Sequence, residues 1–362
     1  MGKLFIPTDR IGLGTVQKSI GAASMAVNKA LAKGLEVKWH VNGLKLKTTP
    51  LWPEGRFYQS GFSLEESAQA RSILEENGIL FEALQTTPKA SYTLKPLKIA
   101  LYCGSGADPV FSKPLYDVLD LGGFSYKPLG DQEIRQGKLA EFDVMLVPGS
   151  PDAGECYYKG LGDKGYNQIR SFLAGHGQYL GICGGAYLPL TSYNSKNQFW
   201  LNIVDATESD DLDYWHTGCG FVRCRMDDNE HPVFTSLALG ITNSLNLVYW
   251  EGPSMTIKGQ NVKQLAHFER LLASGTPSLR PHWDLLDNKM AIAAMGYYNP
   301  LTQEVFDRLL KNRCAFAEAI YHGNKLLLFS PHPEMGNLGT NPWAESPGFQ
   351  LVYNGLFYLS AR

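Results

Sequence analysis

A cysteine set between glycines is the residue of this chain best placed to do chemistry. The apolar run Gln178 to Ile182 leads into Gly181-Ile182-Cys183-Gly184-Gly185. This is nucleophile-elbow spacing, with glycines two residues before and two after the reactive position and cysteine in that position. The glycines let the chain turn sharply from strand to helix and lift Cys183 above the sheet. A helix starting just after Cys183 would set its positive end against the sulfur and favour the thiolate. A thiol nucleophile needs a base, and the base needs an orienting group. Far downstream, the buried-strand pattern Lys325 to Ser330 runs into Pro331-His332-Pro333-Glu334. His332 can take the thiol proton. Glu334, two residues on, falls on the same side of an extended segment and can hold the ring. Prolines on both sides of His332 stiffen the loop that carries it.

Taken together, these two motifs resemble the class I glutamine amidotransferase-like superfamily. Four segments resemble more closely the branch named for the N-terminal domain of eukaryotic biotin–protein ligases. They are Val147-Pro148-Gly149-Ser150-Pro151, the glycine-rich run Lys159 to Gly165, Tyr179 to Tyr187, and Tyr249-Trp250-Glu251-Gly252-Pro253. The resemblance spans about residues 96–360. It implies a flavodoxin-like α/β fold, a doubly wound and mostly parallel sheet, with Cys183 as nucleophile, His332 as base and Glu334 as orienting acid. It also implies an oxyanion hole built from the backbone N–H groups of Gly184 and of the Gly149-Ser150 turn. Such donors stabilise the charge that develops when a thiolate attacks a carbonyl. Two positions depart from the pattern. The family's common Gly-Gly is Gly149-Ser150 here, and Gly184 stands where many relatives of this branch carry alanine. The resemblance brings no settled reaction. The chain lacks a Gly-Arg-Gly-Arg biotinyl-adenylate loop, so it is not itself a complete biotin ligase. No synthase domain follows to receive ammonia, which argues against a self-contained amidotransferase.

Three further residues are candidates for contacting a substrate. Asp152, with Glu155 close behind it, follows the oxyanion turn and could meet a substrate amine or serve as an ordinary loop acid. Tyr187 lies one turn into the elbow helix, lining a pocket or packing in the core. Glu251 sits on a tight turn that the resemblance places near the cleft. The acidic run Asp210-Asp211-Leu212-Asp213 reads as a solvated loop. His216, His231, His267, His282 and His322 share no ligand spacing. No metal or other cofactor is expected. Gly160 to Gly165 lacks the order of a phosphate-binding P-loop. A redox cysteine like that of the related DJ-1 group is the weaker reading, because Lys98 to Cys103 offers no supporting acid.

The elements that would position these groups follow a helix–strand alternation. Expected strands are Lys98 to Cys103, Phe124 to Leu129, Phe142 to Pro148 and Gln178 to Ile182, with helices at Lys113 to Leu121 and Tyr166 to Ala174. This alternation predicts a parallel sheet with helices on both faces, and ligands then bind outside the carboxyl ends of the strands. Strand-like runs at Phe221 to Met226, Asn246 to Trp250, Val262 to Phe268, Met290 to Met295 and Ala315 to Ile320 extend that sheet and add a hairpin layer over the site. A closing helix runs from Ser346 to Leu359. A proline-flanked polar linker at 86–96 separates this domain, residues 96–362, from a small N-terminal α/β unit, residues 1–95. In that unit a helix from Ala22 to Lys33 precedes a strand from Leu35 to His40, and Arg56 to Ser60 is another strand. A capping box at Ser63 starts a helix running to Asn77, and Ile79 to Ala83 is a strand. The two helix–strand pairs hint at an internal duplication.

With 362 residues, 44% of them hydrophobic and 19% charged, the chain can bury a sizeable core. A formal charge of −2 gives no reason to expect nucleic acid or an acidic membrane surface as partner. The expected partner is a small-molecule substrate or ligand, with a homo-oligomer or a separate partner protein left open. The six cysteines are scattered rather than framed as disulfides. A cytoplasmic protein is expected, with the periplasm open if a leader has been trimmed.

Overall fold

The computed structural model describes residues 2–8, 10–11, 14–15, 17–41, 44–45, 57–58, 60–84, 92–191, 199–208, 217–237, 243–274, 301–335 and 346–361. The first of its two main sheets is built from β1 (Lys3–Pro7), β2 (Val37–His40), β3 (Gly61–Glu65), β4 (Glu82–Leu84) and β5 (Tyr92–Leu94). Its order is β4-β1-β3-β2-β5, with every neighbouring pair antiparallel. Helix α1 (Ile20–Ala32) crosses from β1 to β2, and α2 (Ala68–Glu76) crosses from β3 to β4. This is a split βαβ arrangement, two β-α-β units interleaved.

Two expectations need correction here. Ser63 does not cap a helix. Phe62 and Leu64 are buried in β3, which lies between two partner strands, and the pairing of Ser63 on both sides outweighs its local capping tendency. The cap is Ser67, whose hydroxyl accepts from the Ala70 N–H at 3.0 Å. The end of the expected linker is also not loose. Tyr92–Leu94 pairs with β2, and the Tyr92 ring lies 5.7 Å from Trp39.

The second sheet carries the elbow. Nine of its eleven strands among the described residues form one continuous path: β6 (Ile99–Tyr102), β7 (Tyr126–Leu129), β8 (Val144–Val147), β9 (Gln178–Ile182), β10 (Cys219–Met226), β11 (Ser244–Trp250), β12 (Val262–Ser274), β13 (Cys314–Tyr321) and β14 (Asn324–Phe329). They run in the order β7-β6-β8-β9-β14-β13-β12-β10-β11. The first five are parallel and repeat the flavodoxin-like order 2-1-3-4-5. The remainder pair antiparallel and continue the same sheet. The runs expected to extend the sheet and add a hairpin layer do extend it edgewise, and the expected strand at Met290 to Met295 lies outside the described residues.

Helices α3 (Pro109–Gly122), α4 (Glu155–Gly175) and α6 (Pro347–Ser360), with a one-turn α5 (Gly184–Tyr187), complete the elements around the site. Helix α4 starts well before the expected Tyr166 and breaks at Gly162, whose φ of 59° and ψ of −173° suit glycine alone. Among the described residues no helix is long and apolar enough to cross a membrane.

Candidate active site

Three neighbouring parallel strands bring the candidate residues together. Gly149-Ser150 follows β8, Cys183 follows β9 and His332 follows β14, and β9 pairs with both of the others. Their carboxyl ends therefore open at one edge of the sheet, where α/β folds bind ligands.

Cys183 has φ 53° and ψ −113°, a left-handed conformation that costs a non-glycine residue about 1–3 kcal/mol. The surroundings hold it there. Its N–H donates to the Phe329 carbonyl at 2.8 Å, and its own carbonyl accepts from the Ala186 N–H at 2.8 Å. The expected helix after the elbow is only one turn long. Pro189 has no N–H to give the Gly185 carbonyl, which instead accepts from the Tyr179 hydroxyl at 2.5 Å. A single turn gathers little macrodipole, so the sulfur's environment must come from side chains and turns rather than from a helix end.

The Gly149-Ser150 turn lies directly against the elbow. A Cβ placed on Gly184 would stand 2.6 Å from the Ser150 nitrogen and 3.1 Å from the Tyr157 hydroxyl. Tyr157, fully buried, donates to the Pro148 carbonyl at 2.6 Å and pins that turn. The backbone nitrogens of Ser150 and of Gly184, the residue after Cys183, thus lie close together at the elbow.

His332 is buried, and its Nδ1 lies 2.7 Å from Oε1 of Glu334, which is equally buried. Pro333 and Glu334 form a turn rather than the expected extended run, with the Met335 N–H donating to the His332 carbonyl at 3.4 Å, and this turn brings the two side chains together. The His332 backbone N–H donates to the Val248 carbonyl at 2.8 Å, which fixes the loop to β11. Nε2 makes no hydrogen bond and is the atom left to exchange a proton with the sulfur. Burial alone would lower the pKa of His332. The nearby Cys183 and then Glu334 outweigh it and hold the imidazole above its ordinary value.

The Cys183 thiol is only 3% exposed, and it donates to the Trp250 carbonyl at 3.1 Å. Trp250 ends β11, and Glu251 after it takes a left-handed φ of 52°. The Glu251 N–H donates to the Gly218 carbonyl at 3.1 Å, and its Oε1 accepts from the Gly218 N–H at 3.2 Å, so this turn is clasped to the start of β10. The Phe111 ring stacks on His332, with centroids 5.0 Å apart and planes at 18°. It also meets the Trp250 ring edge-on at 5.4 Å.

Of the other candidates, Asp152 accepts through Oδ1 from the Gly154 and Glu155 N–H groups and so caps the start of α4. Tyr187 is half-buried, with its ring 5.5 Å from that of Trp200. His231 faces Glu318 at 3.5 Å, and His267 pairs with Asp227 at 2.7 Å. Asp210 to Asp213, His216 and His282 lie outside the described residues. Sequence reasoning overlooked Phe111, Tyr157 and Trp250. Trp250 acts through its main-chain carbonyl, which no residue type announces. Phe111 reads as an ordinary apolar residue at a helix start.

No protein-family model and no curated protein sequence matches the chain. Solved structures similar to it include a ThuA-like protein from Bacteroides uniformis, 12% identical, with a TM-score of 0.44 over 75% of this chain and 95% of that one. They also include a GMP synthase component from Thermoplasma acidophilum, 13% identical, with a TM-score of 0.41 over 73% and 94%. A third is a glutamine amidotransferase from Thermotoga maritima, 11% identical, with a TM-score of 0.38 over 66% and 77%.

Proposed function

We propose that this protein is a cysteine-dependent hydrolase of the amidotransferase type, acting on a small amide or carbonyl substrate, in the branch that resembles the N-terminal domain of biotin–protein ligases. The observation that carries this reading is the meeting of a strained elbow cysteine, a buried His332–Glu334 pair and the Ser150–Gly184 backbone at adjacent strand ends. In its protonated form the thiol donates to the Trp250 carbonyl, and the raised pKa of His332 draws that proton to Nε2 before substrate arrives. Transfer to Nε2 of His332 gives a thiolate and an imidazolium, with Glu334 stabilising the new charge through Nδ1. The thiolate attacks the substrate carbonyl carbon, and the oxyanion meets the N–H groups of Ser150 and Gly184. As the C–N bond breaks, His332 returns its proton to the leaving amine. Water, losing a proton to His332, then cleaves the thioester and restores the thiol. The substrate is a small molecule, and no metal or other cofactor enters these steps.

One observation favours a second reading, a ligand-binding module on the same scaffold: the thiol is nearly fully enclosed and already has an acceptor in Trp250. Ammonia release from a panel of small primary amides, measured for the wild type and Cys183→Ala, separates the two. The enzyme reading expects release that falls to background in the variant. Release that persists in Cys183→Ala would exclude the mechanism. Unchanged ligand binding in both proteins, with no release in either, would establish the module.

A further inference from the structure

Phe111 belongs to no part of the chemistry described above, yet it touches three parts of the site. Its ring is parallel to the His332 imidazole at 5.0 Å. Its edge contact with Trp250 reaches the residue whose carbonyl holds the Cys183 thiol. A Cβ placed on Gly149 would stand 2.6 Å from Phe111 Cγ, so the ring also lies against the oxyanion turn. Phe111 is itself buried, with 6% exposure, and this stack is sheltered from water.

We propose that Phe111 is a positioning residue that favours the imidazolium form of His332, and through it the thiolate of Cys183. The inference rests on the cysteine–histidine reading above. The face of a phenyl ring carries negative quadrupole density, and a cation within about 6 Å of its centroid is attracted to it. Neutral imidazole in the same place gains only the ordinary stacking of two rings. The stack therefore stabilises the charged state selectively. It acts on the face of the ring, whereas Glu334 acts in the ring plane through Nδ1. Face and edge are thus both committed, and Nε2 alone remains to exchange a proton. The same phenyl ring fixes the tilt of the imidazole and the seat of Trp250, so the proton acceptor and the carbonyl that holds the thiol keep their places relative to each other.

The test uses the full chain and the ultraviolet absorbance of the thiolate, taken as the difference between each protein and its Cys183→Ser counterpart. Fluorinated phenylalanines at position 111 keep the ring and its volume while weakening and then inverting the quadrupole. The midpoint for thiolate formation should rise stepwise with fluorine count, by about half a pH unit to one unit in total for an interaction of this class. Phe111→Leu should raise it similarly, and Phe111→Tyr should restore most of the wild-type value. In a His332→Ala background none of these changes should move the midpoint. A midpoint unmoved by full fluorination would overturn the proposal, as would equal shifts with and without His332. If His332→Ala itself leaves the wild-type midpoint in place, the cysteine–histidine reading falls and the Phe111 proposal with it. If His332→Ala moves the midpoint but fluorination does not, Phe111 alone is excluded.

Discussion

His332 has its two supports on different atoms, and that division determines what single substitutions should do. Glu334 holds Nδ1, Nε2 is left for the sulfur, and Cys183 is the larger of the two influences that keep the imidazole charged against burial. Glu334→Gln keeps an acceptor for Nδ1–H but removes the charge. The pKa of His332 should then fall, and the thiolate should form only at higher pH. Activity on an amide substrate should drop by about 10²–10⁴-fold, the range over which a positioned base contributes. The effect on stability has a definite sign. A folded-state pKa raised above the unfolded value stabilises the protein fully below the ordinary imidazole value of about 6.5, and that stabilisation is lost as pH rises through the raised value. The variant's deficit should therefore be largest at mildly acidic pH and shrink as the solution is made alkaline. Denaturant titrations of both proteins across that range measure this directly, and a deficit that grows with pH would contradict the assignment of charge to His332.

At the scale of elements, the site is a meeting of turns, and its tolerances are set by close backbone approach. Much of this was legible beforehand. Alternating strands and helices, glycines around Cys183 and prolines around His332 placed all three strand ends, because each signal is local and the parallel sheet then makes the ends coincide. Other features were not legible, for physical reasons. The helix after the elbow stops after one turn because Pro189 cannot bond to Gly185, whose carbonyl accepts instead from the Tyr179 hydroxyl of the preceding strand. Ser63 pairs as a strand because neighbours 20 or more residues away offer it partners on both sides. The cover over the thiol is a main-chain carbonyl, invisible to residue type. Gly184 tests the close approach. A Cβ at this position would lie 2.6 Å from the Ser150 nitrogen. Gly184→Ala should push the Gly149-Ser150 turn away from the sulfur, cost about 1–3 kcal/mol in stability, and reduce turnover while leaving the thiolate titration in place. An alanine variant with full turnover would show that this turn is not the oxyanion site.

At the scale of the whole molecule, helix α6 joins the two sheets, and this gives the N-terminal sheet a role far from the cleft. Toward one side, α6 packs on the parallel strands, with Leu327 and Phe329 of β14 in van der Waals reach of the Gly355 position. Toward the other, Phe357 meets Trp39 of β2 at 6.2 Å and Phe62 of β3 at 5.1 Å, with Phe124 at 5.2 Å. Asn28 of α1 donates to the Gly122 carbonyl at the end of α3 at 2.9 Å, a second tie between the two parts. Buried residues from both sheets, Trp39 and Phe62 among them, form a single apolar cluster with α3 and α6. A shared core means shared unfolding, because neither sheet can separate without exposing the aromatic face of α6 to water. Phe357→Ala removes a buried ring at that junction and should cost about 3–5 kcal/mol. Thermal unfolding followed separately by far-ultraviolet and near-ultraviolet circular dichroism should still show one transition, shifted to lower temperature in both signals. Two transitions in the wild type, only one of them moved by Phe357→Ala, would mean that the N-terminal sheet folds apart from the sheet that carries Cys183, and that its packing on α6 contributes little to holding the site together.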